Sequence, residues 1–266
     1  MVGANLRRKR HSPINACLLH NFWQPCRNYR TEGLSYTMKL LDGKALATRF
    51  YESYRLFVSN QSTALRQPTL AAILVDPQPA SRLYVSNKER ACQRVGIRSE
   101  VIEYTDQITT DELIFELIGM GETGLYDGLI VQLPLPAHID RQAVPGAISP
   151  ELDVDGFSPA SQGALVLGLE GHRPSTPAGI LMLLDAYGLD VSGKVAVVVG
   201  RSEIVGTPLS ILLSRPGRDA TSILCHSKTP DLAHWTRQAD FLLVAAGRPG
   251  LIGLEHIKEG AVVVDV

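Results

Sequence analysis

Tyr84 and Lys88 stand four residues apart in the stretch Pro79-Ala80-Ser81-Arg82-Leu83-Tyr84-Val85-Ser86-Asn87-Lys88. On a helix this spacing stacks the phenol and the amine on one face, within reach of one shared proton or one substrate atom. Lysine carries protons near neutral pH only where burial or a cationic neighbour disfavours its charged form. The segment suited to burying it is Gly128-Leu129-Ile130-Val131-Gln132-Leu133, read as a strand that ends at a polar Gln132 before Pro134 and Pro136. An ordinary surface pair on an amphipathic helix is the other reading of the same spacing. Asp153 and Asp155, two residues apart ahead of Gly156, have two readings as well. They can accept hydrogen bonds from a ligand amide, or they can close an Asx-type turn.

A second group of residues suits a nucleotide. The apolar run Val195-Ala196-Val197-Val198-Val199 feeds Gly200-Arg201-Ser202-Glu203-Ile204-Val205-Gly206, a strand, a small-residue turn and a helix start. This is the arrangement that puts a pyrophosphate on helix N–H groups, although the second glycine of the usual fingerprint is Ser202 and the helix-packing glycine is delayed to Gly206. A site that prefers NAD carries an acid roughly 20 residues after the glycines. Here the next strand, 222–225, ends in His226-Ser227-Lys228, with no acid. A hydroxyl, a lysine and Arg201 suit a 2′-phosphate, which favours NADP.

The elements that position these residues alternate. Helical periodicity over 45–62 places Leu46, Phe50, Tyr54, Leu56 and Phe57 on an apolar face. A strand over 69–75 follows, then the Tyr84/Lys88 helix to about residue 95, a strand over 100–104, a helix over 110–120 and the strand over 128–133. In the second half, Thr176 is expected to cap a helix with Pro177 at its first position. Strands at 195–199, 222–225, 241–247 and 261–266 complete the chain. Such alternation argues an α/β class with largely parallel sheets, and these sheets place ligand sites at the carboxyl ends of their strands.

Composition excludes other classes. A chain of 266 residues with 45% hydrophobic content can fill two domains, and its net charge of −1 offers nucleic acid no general attraction. No apolar run approaches the ~20 residues of a membrane-spanning helix. Cys17, Cys26, Cys92 and Cys225 have neither metal-ligand spacing nor disulfide density, which points to a reducing compartment and to no metal. Residues 1–37 carry Arg7, Arg8, Lys9, Arg10, Arg27 and Arg30 against the single acid Glu32. They read as a disordered leader or a start called upstream of Met38, with an organellar transit peptide as the alternative.

Taken together, PASRLYVSNK, GLIVQLPLP, PELDVDGF, RPSTPAGI, VVVGRSEIVGTP, CHSKT and GAVVVDV resemble the bifunctional methylenetetrahydrofolate dehydrogenase/methenyltetrahydrofolate cyclohydrolase family, in the family's order, from Met38 to Val266. The resemblance implies an N-terminal α/β folate-binding domain over 38–157, a Rossmann-type NADP-binding domain over 158–266, a cleft between them and a cytoplasmic homodimer that acts on tetrahydrofolate derivatives. It implies Lys88 as the catalytic lysine flanked by Tyr84 and Gln132, Leu133 beside the substrate and Asp155 as the anchor of the pteridine ring. Gly200, Arg201, Ser202 and Ser227 fall on the cofactor side.

The chain departs from the family pattern at Asp76, where a glycine is usual, and at Leu152, Ser161 and Ser175 in place of lysine, asparagine and cysteine. The family also continues beyond the strand that ends in Val266, so a truncated, inactive product is the competing expectation. A short-chain dehydrogenase shares YxxxK but has its glycine turn first, whereas Tyr84 precedes Gly200.

Overall fold

The computed structural model describes residues 39–61 and 66–266; the leader expected over 1–37 and the end of the first helix at Ser62 lie outside the described residues. These fall into two compact units, Asp42–Gly188 with Glu203–Leu212, and residues 39–41 and Leu189–Ser202 with Leu213–Val266.

In the first unit, helix α1 (Gly43–Gln61) leads into strand β1 (Thr69–Val75), helix α2 (Pro79–Val95), β2 (Arg98–Tyr104), α3 (Thr110–Glu122), β3 (Gly128–Val131), the short α4 (Ala143–Gly146), α5 (Pro159–Leu167) and α6 (Ser175–Ala186). The three strands form one parallel sheet in the order β2-β1-β3. As the central strand, β1 is apolar on both faces. Ala71, Ile73 and Val75 join Leu113 and Leu117 of α3 and Leu129 of β3 in one core cluster. The alternate residues Ala72 and Leu74 meet Val85 of α2. The helix that carries Tyr84 and Lys88 is thus seated on the central strand.

Its ends are set locally. Pro79 occupies the first turn of α2, and the chain leaves through Gly96 in the left-handed region at φ 84°, with its N–H on the carbonyls of Cys92 and Gln93. Thr109 and Glu112 cap α3 reciprocally.

The second unit holds β4 (Val195–Val199), β5 (Thr221–Cys225), α8 (Leu232–Thr236), β6 (Phe241–Val244), a 3₁₀ turn at Leu254–His256 and β7 (Val262–Asp265). Its sheet is parallel throughout, in the order β5-β4-β6-β7. Helix α7 (Gly206–Leu213) follows the turn after β4 in the chain.

The structure corrects several local expectations. Helices α5 and α6 pack with the first unit, whose main span runs to Gly188. There, α4 packs against α5, α1 packs against α6, and the Tyr187 hydroxyl accepts the Asp42 N–H at 2.7 Å. Thr176 does not cap α6. The Ala178 N–H donates to the Pro174 carbonyl at 3.1 Å, which makes Pro174 the N-cap and puts Pro177 inside the first turn, where its missing N–H costs nothing. On α1, Tyr54, Leu56 and Phe57 are 50%, 49% and 63% exposed while Val58 is buried, so the buried stripe is not the one periodicity suggested. The strand expected over 128–133 stops at Val131, ahead of the two prolines.

Candidate active site

Tyr84 and Lys88 lie one turn apart on α2. The Tyr84 side chain is half exposed. The Lys88 side chain is 37% exposed, and its Nζ stands 3.8 Å from Oδ2 of Asp155.

The loop 153–158 treats its two carboxylates differently. Asp153 is 2% exposed, and its carboxylate accepts the N–H of Phe157 at 3.1 Å and of Ser158 at 2.8 Å. That is the turn-closing role. Asp155 is largely, not fully, buried, and among the described residues no hydrogen bond reaches its carboxylate; its cation is Lys88. Burial pushes the Asp155 carboxyl above the usual range; the Lys88 charge pulls it back down, and the charge of Asp153 adds a smaller upward push.

The rest of the loop holds Asp155 in place. Gly156 sits at φ 67°, and a Cβ there would come within 2.7 Å of the Arg173 carbonyl carbon and 2.9 Å of the Pro174 nitrogen. Its carbonyl accepts from Gln162 Nε2 at 2.8 Å. Ser158 then caps α5, accepting the Ser161 N–H, with Pro159 at the first helical position. Replacing Asp153 by Ala strips two buried N–H groups of a charged acceptor. We expect a loss of about 2–4 kcal/mol, read from urea melts; an unchanged midpoint would show the loop to be held by other contacts.

Gln132 follows β3, its N–H on the Ile73 carbonyl at 2.9 Å. Its Nε2 donates to the Leu133 carbonyl at 2.8 Å, while Oε1 is buried with no hydrogen-bond partner among the described residues. A buried acceptor without a donor favours a ligand or side chain that brings one. Leu133 packs against the core around Leu129. Among the described residues neither Tyr84 nor Gln132 hydrogen-bonds to Lys88. What reaches Lys88 is the loop of Asp155.

The departures from the family pattern find places. Asp76, just past β1, adopts φ 42°, a left-handed conformation that glycine takes freely and Asp tolerates. Its N–H continues the ladder to the Tyr104 carbonyl at 3.0 Å. Leu152 packs against the same core as Leu129. The Ser161 hydroxyl is 3.1 Å from that of Ser158. Ser175 is the first residue of α6.

In the second unit Gly200 ends β4 at φ 120°, and a Cβ would fall 2.2 Å from the Ala245 carbonyl oxygen. The Gly200 N–H donates to the Cys225 carbonyl at 2.9 Å. Only glycine lets the chain turn here between the ends of β5 and β6. Arg201 and Ser202 are exposed beyond it. Beside them, at the end of β5, the His226 N–H donates to Thr229 Oγ1 at 2.8 Å and the Lys228 N–H to His226 Nδ1 at 3.2 Å. That turn presents Ser227 and Lys228 to solvent. A cradle closed to any Cβ, with a cation and hydroxyls beside it and no acid at the end of β5, fits the phosphates of NADP.

Among the described residues there is no group of three or more His, Cys, Asp or Glu that could hold a metal ion, and no helix is long and apolar enough to cross a membrane. Sequence reasoning named Lys88 and Asp155 separately and missed that they face one another. It also missed Asp153 as the clamp and α5 as a helix, although Ser158-Pro159 is a legible start signal.

Two family models match, the catalytic domain of tetrahydrofolate dehydrogenase/cyclohydrolase over residues 41–155 and its NAD(P)-binding domain over residues 174–266. The bifunctional protein FolD of Nitratidesulfovibrio vulgaris (strain Miyazaki F) is 52% identical over 235 residues, covering 86% of this chain and 81% of its own length. The crystal structure of the FolD methylenetetrahydrofolate dehydrogenase/cyclohydrolase of Campylobacter jejuni superposes with a TM-score of 0.84 at 42% identity, covering 86% of this chain and 81% of its own. A third relative, N5,N10-methylenetetrahydrofolate dehydrogenase-cyclohydrolase (FolD) of Trypanosoma brucei, was solved in complex with NADP cofactor and an inhibitor. It gives a TM-score of 0.79 at 35% identity, covering 84% of this chain and 76% of its own.

Proposed function

The chain belongs to the tetrahydrofolate dehydrogenase/cyclohydrolase family, and from that premise we propose how its residues divide the work. The enzyme oxidises 5,10-methylenetetrahydrofolate with NADP⁺ and hydrolyses the 5,10-methenyl product to 10-formyltetrahydrofolate. When bound, NADP⁺ supplies the acceptor for the hydride that leaves the methylene carbon. Gly200, Arg201, Ser202 and Ser227 hold it, with Arg201 and Ser227 on the 2′-phosphate.

Folate chemistry belongs to the first unit. Asp155 accepts the amino and ring N–H groups of the pterin. Gln132, its amide fixed by the Leu133 carbonyl, offers its free Oε1 to a donor, and Leu133 adjoins the substrate. Lys88 is the proton carrier of the hydrolysis: its amine takes a proton from the water that attacks the methenyl carbon, and Tyr84 on the preceding turn orients it. The ring then opens as the C–N5 bond breaks: Lys88 returns its proton to N5, and the O–H proton of the carbinol leaves to solvent as the formyl C=O forms. The observation that supports this assignment above any other is the 3.8 Å approach of Lys88 to the largely buried Asp155. It brings the proton carrier and the pterin acceptor to one spot. Asp155→Ala is its test: a large rise in KM for folate is expected, and unchanged KM would remove Asp155 from the site.

Cofactor choice is separately testable. Replacing Arg201 by Ala should reduce the preference for NADP⁺ over NAD⁺ by about one charge-assisted hydrogen bond, ~1.5–3 kcal/mol, read as the ratio of kcat/KM values. Equal ratios in parent and variant would take Arg201 off the phosphate. A cytoplasmic homodimer belongs to the same reading, supported by the family resemblance; sedimentation at the mass of a single chain would contradict it.

A further inference from the structure

The two carboxylates of the loop 153–158 are satisfied by different means, and the difference gives Lys88 a second task. Asp153 is neutralised by backbone: two N–H groups converge on its oxygens at 3.1 and 2.8 Å. Asp155, whose side chain is 15% exposed, has no such donors among the described residues. Its surroundings favour the protonated acid. It is largely withdrawn from water, and the Asp153 charge lies in the same loop. The Gly156 backbone next to it packs closely on Arg173 and Pro174, and its carbonyl accepts from Gln162 Nε2. The charged groups acting on it are Asp153 in its own loop and Lys88 reaching across from α2, and of these only Lys88 favours ionisation.

A protonated Asp155 is a poor anchor for a pterin. The amino and ring N–H groups of that edge are both donors, and they need two acceptor oxygens, which only the ionised carboxyl presents. We propose that the Lys88 ammonium is the counter-charge that keeps Asp155 anionic, so that Lys88 is a positioning residue for folate binding as well as the proton carrier of hydrolysis. The inference rests on the reading of Asp155 as the pterin acceptor. The two roles separate by chemistry. Holding Asp155 ionised while folate binds needs a positive charge, which Lys88 carries until it gives up its proton and which Arg also supplies. Shuttling a proton needs a group that gives it up, which Arg does not do.

The sign of the pH dependence follows. Binding needs ionised Asp155, so affinity is full above the Asp155 pKa and falls as pH drops through it. Removing the Lys88 charge takes away the one influence that lowers this pKa, so the fall begins at higher pH. The test is calorimetric titration of the full chain with tetrahydrofolate across pH, for the parent, Lys88→Met, Lys88→Arg and Asp155→Asn. Protonation of the ligand itself is common to all four and cancels in the ratio of variant to parent.

We expect the acid limb of the Lys88→Met affinity to move up by at least about one pH unit, roughly a tenfold loss of affinity on that limb, and to merge with the parent at alkaline pH. Lys88→Arg should restore the parental profile without restoring hydrolysis. A Lys88→Met profile that parallels the parent overturns the proposal, as does a uniform loss at every pH that Arg does not rescue. Failure of the underlying reading looks different: Asp155→Asn would then bind tetrahydrofolate as tightly as the parent. NADP⁺ binding by each variant reports whether the chain has folded.

Discussion

Replacing Lys88 by Met is expected to slow hydrolysis of 5,10-methenyltetrahydrofolate by ~10²–10⁴-fold, the usual worth of a positioned proton carrier. Met keeps most of the aliphatic stem, so the seat of α2 on the central strand through Val85 is undisturbed. What disappears is the nitrogen 3.8 Å from Asp155. Hydride transfer needs no proton from Lys88, so oxidation of the methylene substrate should persist, with its KM raised toward acid pH as Asp155 loses its counter-charge. The assay supplies the methenyl compound directly, at saturation and alkaline pH, and follows its disappearance. That choice isolates proton transfer from binding. A hydrolysis rate within twofold of the parent would remove Lys88 from the role of proton carrier.

Replacing Gly200 by Ala should damage the second unit as severely. The added methyl would lie 2.2 Å from the Ala245 carbonyl oxygen, and the backbone at φ 120° is one that a residue with a Cβ rarely adopts. Steric overpacking and backbone strain each cost about 1–3 kcal/mol, so the variant should lose roughly 2–6 kcal/mol. Its main-chain neighbours are strand ends, bonded through Gly200 N–H to Cys225 and through Ala245 N–H to Val199 at 2.7 Å. They cannot withdraw without breaking the ladder. Thermal melting and NADP⁺ titration read the two consequences, a lower midpoint and weakened cofactor binding. Parental values in both would show that the turn has room the structure does not.

Much of this was legible in the chain. The continuous apolar runs at 69–75 and 195–199 read as parallel central strands because burial on both faces leaves no other pattern. The turn at Gly200 was legible from its small residues after a buried strand. Two kinds of information were not. Tertiary pairing of side chains far apart in sequence, as between Lys88 and Asp155, leaves no trace in spacing. The division of labour between Asp153 and Asp155 depends on which carboxylate the backbone turns beneath Phe157 and Ser158, and no local propensity sets that. Helix α1 erred for a related reason: a chain with apolar residues on several faces is read by periodicity, but the face that is buried is chosen by α2 and α6.

The account's central claim is that one chain carries out an NADP⁺-linked oxidation and a lysine-dependent hydrolysis in sequence. The most direct measurement supplies the purified protein with 5,10-methylenetetrahydrofolate and NADP⁺, following NADPH and the methenyl compound together, with Lys88→Met run alongside. The account predicts that the parent forms NADPH and 10-formyltetrahydrofolate with little methenyl compound accumulating, while the variant forms NADPH and accumulates the methenyl compound. NADPH formation with the same methenyl accumulation in both proteins would contradict it.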